Sequence, residues 1–280
     1  MIDQLVHLLG YEFAQKALIA GFLVAVVAGL VSRFVVARNM SFAVHALAEV
    51  GFTGSAGFIL IGLSPVLGLL SGSMLTALLI GALGVRIRER DSVVGVIMAF
   101  GLGRGVLFIT RYPRYASEAF AILLTGSITA VSRGDLLLLV VVAAVTILGL
   151  GAMYRPLTFA TVDPVVAEAR GVPVRLVSIL FLLILAAAVA EAVQVVGVLM
   201  ILTLLITPGA TAERLTVQPG LATVVSVAVA LVATVGGILL ALVITVPVSF
   251  FVTTIAFGCY LAARFAWPLL ATSRAPQMDA

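Results

Sequence analysis

Apolar runs long enough to cross a bilayer recur from one end of this chain to the other, and no other feature constrains the fold as strongly. A helix needs about 17–25 apolar residues to span hydrocarbon, and no long stretch of the sequence lacks such a run. Of the 280 residues, 63% are hydrophobic and 10% charged, with a mean hydropathy of +1.30; an ordinary soluble domain is about 25% charged. Backbone polar groups in lipid must be satisfied internally, which leaves helices or a closed barrel. The runs are too long and too weakly alternating for barrel strands. The expected fold is therefore an all-α polytopic bundle of eight or nine transmembrane helices with one short cytoplasmic helix, forming a single membrane domain over 1–280.

Candidate spans are 13–36, 41–63, 66–86, 93–110, 135–154, 174–193, 195–208, 221–245 and 247–271. Residues 195–208 are short for a crossing. Residues 117–132 are apolar but also short, and read as a re-entrant segment. The net charge of +4 comes from arginines spread between the apolar runs, which reads as topology rather than nucleic-acid binding. Arg33 and Arg38, the RIRERD link at 86–91, Arg155, Arg170 and Arg175, and Arg264 and Arg274 are all cytoplasmic if 117–132 makes no crossing. Arg111 and Arg114 then face outward, against the rule. The N-terminal MIDQLVHLLGYEF lacks a basic region, so no cleavable signal peptide is expected. Cys259 is the single cysteine, which excludes a disulfide framework and a cysteine metal site. Small residues are frequent, with 26 Gly. GLGRG at 101–105 reads as helix packing rather than a dinucleotide loop, since no strand precedes it.

A phosphate-binding loop is missing. GxxxxGK[ST] needs a lysine behind a glycine turn, and the one lysine, Lys16, has no such loop before it. A chain that drives transport without hydrolysing ATP uses an ion gradient or a separate ATPase.

Two places carry candidate chemistry. His45 and Glu49, in SFAVHALAEV, stand four apart inside an apolar run. On a helix such residues share a face, with Cβ atoms about 5–6 Å apart. An imidazole nitrogen and a carboxylate oxygen then converge on one cation at about 2.0–2.2 Å. The plainer reading is that the two hydrogen-bond each other or a neighbouring backbone. An ionisable side chain at membrane depth costs about 2.5–3.5 kcal/mol, and such residues mark pathways. At the inner end of span 41–63 the cost is smaller. The second place is YRPLTFATVDPVVAEARGVPVRL, 154–176. Asp163 is a fitting N-cap, Pro164 a fitting first residue and Gly171 a fitting stop. This predicts a two-turn helix at 164–170, with Val165, Val166 and Ala169 on an apolar side. It serves either as a plain interfacial connector or as a peg for another protein.

Weaker candidates are Glu191, near the outer end of its span, as an entrance or a solvated helix end beside Gln194; Arg104, mid-span, with Glu118 as structural partner; Lys16, snorkelling to an interface; and His7, a surface residue.

Four stretches in order resemble the permeases of bacterial zinc, manganese and iron ABC importers, the ABC-3 family. RNMSFAVHALAEVGFTG at 38–54 is similar to its "RRMSF-G-D-ALAH" segment. FATVDPVVAEARGVPV at 159–174 is similar to its "FDPE-A-A-G" cytoplasmic loop. QVVGVLMILTLLITPGATAERL at 194–215 is similar to "Q-VG-LL-LL-PAATA", and RERDSVVGVIMAFGLG at 88–103 to its "DS-IG" region. The order and spacing agree over nearly the whole chain.

The resemblance implies a multi-pass permease of the bacterial cytoplasmic membrane, itself not an enzyme. It implies two cytoplasmic ATP-binding subunits docked on the 159–174 loop through Asp163, Pro164, Ala167, Glu168 and Gly171. It further implies an extracytoplasmic metal-binding protein and a second permease chain, in a homodimer. No bound cofactor is implied, only the transported ion, expected in the order zinc, manganese, iron. One departure matters. The family pattern has Asp where this chain has His45, and His where it has Glu49, so the ligand types are exchanged; a zinc-associated subgroup is similar in this respect.

Two competing readings remain. An ion-coupled carrier would transport without any ATPase and tolerate changes at 163–171. An intramembrane metalloprotease wants three histidine ligands or HExxH, and the chain has two histidines.

Overall fold

The computed structural model describes residues 10–84, 87–111, 133–244 and 246–272. These form ten α-helices and one short 3-10 turn, with no strand among the described residues. In chain order they are α1 (Glu12–Ala37), α2 (Ser41–Leu60), α3 (Pro65–Leu83), α4 (Ile87–Arg111), α5 (Arg133–Val162), α6 (Pro164–Ala169), α7 (Val174–Val196), the 3-10 turn (Val198–Met200), α8 (Ile201–Leu215), α9 (Pro219–Val243) and α10 (Val248–Thr272). Eight are long and apolar enough to cross a membrane, as the hydropathy pattern requires.

α1 and α7 are the most enclosed spans, with α2 beside them. α3, α4, α5, α9 and α10 pack around these three and turn large apolar side chains outward, among them Leu148, Val96, Phe257 and Phe250. In lipid such exposure is the solvated state.

Helix directions follow from cross-contacts. Arg33 of α1 reaches Tyr154 of α5, and Arg38 reaches Thr161. A side chain built on Gly101 of α4 would meet Val50 of α2, and one on Gly105 would meet Thr53. α1 and α5 therefore run one way, and α2 and α4 the other. Residues 37–39 and Gly84 gather at one end with Ala160, Thr161, Pro164, Glu168, Val174 and Arg175, where they line a common cavity. Arg38, Arg170 and Arg175 lie at this arginine end, which the positive-inside rule assigns to the cytoplasm. The ends of α4 and α5 nearest residues 112–132 both lie at the far end. The expectation of a re-entrant 117–132 concerns residues outside those described.

Small residues set the closest approaches. α2 and α3 cross where a Cβ on Gly68 would stand 2.6 Å from the carbonyl oxygen of Gly54. Buried hydroxyls then bridge helices: Ser73 donates to the Leu47 carbonyl at 3.0 Å, and Ser226 to that of Gly29 at 2.7 Å. In lipid, where apolar burial does not favour one helix pairing over another, packing and such bonds supply the specificity.

Two expected boundaries are corrected. The span at 135–154 and its following loop at 155–175 become one helix to Val162, which carries Pro156 inside it. Proline removes one backbone donor and bends the helix, but neighbouring helices compensate in a bundle. The short span at 195–208 straddles a break. α7 continues to Val196, and Gly197 takes φ 87°, a left-handed conformation that suits glycine. The chain then re-enters as the 15-residue α8. α8 returns to the arginine end, where the backbone N–H of Gly209 donates to Ser32 Oγ at 2.8 Å.

Candidate functional site

His45 and Glu49 sit in the first turns of α2, on the side nearer the arginine end. Regular helix from Ser41 places them one above the other. Nε2 of His45 donates to Oε1 of Glu49 at 3.0 Å. The side chains are 34% and 19% exposed, so the pair is open on one side rather than sealed. His45 Nδ1 and Glu49 Oε2 are enclosed and have no hydrogen-bond partner. Each residue thus spends one polar atom on the other and keeps a second one unused.

That donor set fits a divalent ion in part. One imidazole and one carboxylate are compatible with zinc or manganese, and a cation replaces the shared hydrogen in binding both. No group of three or more His, Cys, Asp or Glu side chains gathers among the described residues. A single chain therefore brings two such donors together at this place.

The second candidate is the short helix α6. Asp163 caps it, accepting a hydrogen bond from the Val166 backbone at 2.9 Å, and Pro164 opens it. Gly171, at φ 84°, ends it, with Val172 N–H returning to the Ala167 carbonyl at 3.0 Å. The Asp, Pro and Gly signals held because capping is a local property of the chain. The apolar face is different from the expected one. Ala167 is the residue that packs inward, whereas Val165 is 76% exposed and Val166 lies outside with it. Val162, at the end of α5, is 74% exposed. The arginine end thus presents valines outward beside exposed Glu168. A cavity of about 450 Å³ separates α6 from the ends of α1 and α3.

Sequence reasoning missed what the arginines of α1 do. Arg33 and Arg38 read as topology markers, yet Arg33 is buried. It donates to Tyr154 Oη and Thr223 Oγ1, each at 3.2 Å, and lies over the Phe34 ring at 4.7 Å. Arg38 donates to Thr161 at 3.3 Å and Ser178 at 2.5 Å. The two residues join α1 to α5, α7 and α9 at the end that carries α6. Their partners lie 121 to 190 positions away, so no local signal reveals them.

The other candidates separate. Glu191 is buried in α7 against α3 and α5. Arg104 is exposed on α4 and lies over the rings of Phe100 and Phe108, at 5.5 and 6.0 Å; its expected partner, Glu118, is outside the described residues, as is His7. Lys16 pairs with Glu12 at 3.0 Å. Cys259 is a half-buried free thiol.

A family model of the ABC 3 transport family matches residues 10–266. The chain belongs to that family. It is a multi-pass inner-membrane protein and a transport component rather than a catalyst. It is 34% identical over 211 residues to the manganese transport system membrane protein MntC of Halalkalibacterium halodurans, covering 75% of this chain and 72% of the relative. It is 30% identical over 203 residues to the manganese import system permease protein ScaB of Streptococcus parasanguinis, covering 72% of each. Its structure superposes on PsaBC from Streptococcus pneumoniae, solved in complex with Fab, with a TM-score of 0.83 at 27% identity, over 94% of this chain and 95% of that one.

Proposed function

We propose that this chain is the permease subunit of an ATP-driven importer of a divalent metal ion, with manganese the first candidate and zinc the second. The single observation that carries the reading is the His45–Glu49 pair, open on one side and holding one unused polar atom on each residue, in a family member whose named relatives move manganese. The exchanged ligand types favoured zinc first. Imidazole with carboxylate accommodates either ion, and the relatives' names favour manganese. Two ligands per chain hold an ion weakly enough to release it, with a second copy of the permease or water completing the shell.

In this reading a separate ATP-binding subunit docks on Asp163, Pro164, Ala167, Glu168 and Gly171. The outward valines of α5 and α6 support that role, since apolar side chains at a solvated end favour contact with a partner. Arg38 then transmits movement of the docked end to α1, α5 and α7. An extracytoplasmic protein delivers the ion from the opposite side, and Glu191 lies in the half of α7 nearer that side.

The test is isotope uptake into vesicles holding this chain with its ATPase and binding protein, with and without ATP. ATP-dependent manganese uptake that vanishes on Glu49→Ala, with the complex still assembled, is the expected result. Uptake that persists in both Glu49→Ala and His45→Ala removes the site. Uptake by the chain alone without ATP identifies an ion-coupled carrier instead.

A further inference from the structure

Glu191 is 3% exposed, and neither of its carboxylate oxygens has a hydrogen-bond partner. Gln194, one turn on along α7, likewise has its side-chain Oε1 enclosed and unpartnered. Both residues line one small cavity of about 10 Å³. Its other walls are aliphatic: Val66 and Leu70 from α3, Leu138, Leu139 and Val142 from α5, and Ala190. Three acceptor oxygens without a hydrogen-bond partner therefore belong to residues lining one small cavity, where among the described residues the Gln194 amide is the one side-chain donor and no positive charge is present. Among the described residues, Glu12 and Lys16 of α1 pair with each other, and no wall residue from α3 or α5 is charged.

An ionised carboxylate in such a place carries an uncompensated charge in a low-dielectric interior, an expensive arrangement. Either a cation or a proton resolves it. A hard cation asks for about six or more oxygens, and the cavity offers three. Its volume admits at most one water, which needs about 10–15 Å³. A proton needs neither room nor further ligands. It turns one carboxylate oxygen into a donor, and that donor reaches Gln194 Oε1 directly or through the single water.

We propose that Glu191 is a proton-binding site at the far end of α7, occupied while α7 is packed against α3 and α5. In the binding step one proton from water adds to the carboxylate, and the side-chain charge goes from −1 to 0; exposure of the site returns the proton to water. α7 begins just after α6, the segment proposed to take up movement from the ATPase. A shift of α7 away from α3 and α5 opens the cavity, so proton occupancy reports helix position. The site is independent of the His45–Glu49 assignment and stands or falls separately from it.

The test uses the assembled transporter in lipid nanodiscs at neutral pH without metal. Infrared difference spectra between neutral and alkaline pH follow the carboxylic-acid carbonyl band, which needs no reagent to enter the cavity. An acid band present in the wild type at neutral pH and missing from Glu191→Gln is expected. A wild type without an acid band, or a folded Glu191→Gln that keeps it unchanged, overturns the proposal. An acid band that appears only after sodium or manganese is removed overturns it in favour of a cation site. Glu191→Asp, which keeps the acid and shifts its band, answers the question if Glu191→Gln does not fold.

Discussion

Two acidic side chains inside the bundle stand under opposite conditions. Glu49 lies in the half of α2 nearer the arginine end, meets His45 at 3.0 Å and is open on one side. Glu191 lies at the far end of α7, sealed among aliphatic side chains with no partner. Both are carboxylates in apolar sequence, but the first has a neighbour with which it can share a proton or a cation, and the second has none. On the readings proposed above, the acid with a partner and an opening exchanges an ion, and the one without either carries its own proton. Burial alone therefore does not define a transport site, whereas the partner and the route to it do.

The sharpest way to break this comparison is Glu49→Gln. It preserves shape and one oxygen while removing the charge. Uptake is expected to fall to background with the complex intact, and normal uptake would make Glu49 a packing residue no different from other buried polar groups.

A smaller effect is expected at Arg33, a buried charged side chain that has hydrogen-bond partners. Arg33→Leu removes two hydrogen bonds, but Tyr154 and Thr223 stay within 3.3 Å of each other and are not orphaned. The loss is about 1–3 kcal/mol, read as lowered thermal stability of the purified protein. A much larger loss would mean that the charge itself, rather than its bonds, holds α1 to α5 and α9.

At the solvated end, Asp163→Ala removes one cap and costs α6 about 0.5–2 kcal/mol. The expected readout is weaker co-purification of the ATPase and a lower ratio of uptake to ATP hydrolysis. An unchanged ratio would make α6 a connector. The smallest effect belongs to Lys16→Ala. Its pair with Glu12 is largely exposed, and such pairs are worth about 0.3–0.5 kcal/mol. A stability loss above that range would show that the far end is more enclosed than its side chains indicate.

The membrane class, the helix count to within one, and the caps of α6 were legible in the sequence. Each follows from apolar run length or from chemistry spanning four residues, both properties of neighbouring positions. The pairing of His45 with Glu49 was legible for the same reason, since i and i+4 share a helix face. The continuation of α5 through Pro156 and the break at Gly197 were not. Proline and glycine signal an interruption, but the surrounding helices decide whether the chain absorbs it.

Three things were decided only when the helices packed. Arg33 and Arg38 became cross-links because Tyr154, Thr161, Ser178 and Thr223 arrived from distant parts of the chain. Glu191 became sealed because α3 and α5 closed over it. Val165 and Val166 of α6 face outward because Ala167 took the inward position. Sequence determined which segments enter the membrane, since transfer into lipid is a property of each segment. Tertiary structure determined which polar groups find partners beyond their own helix turn, since the partners of Arg33 and Arg38 stand on other helices.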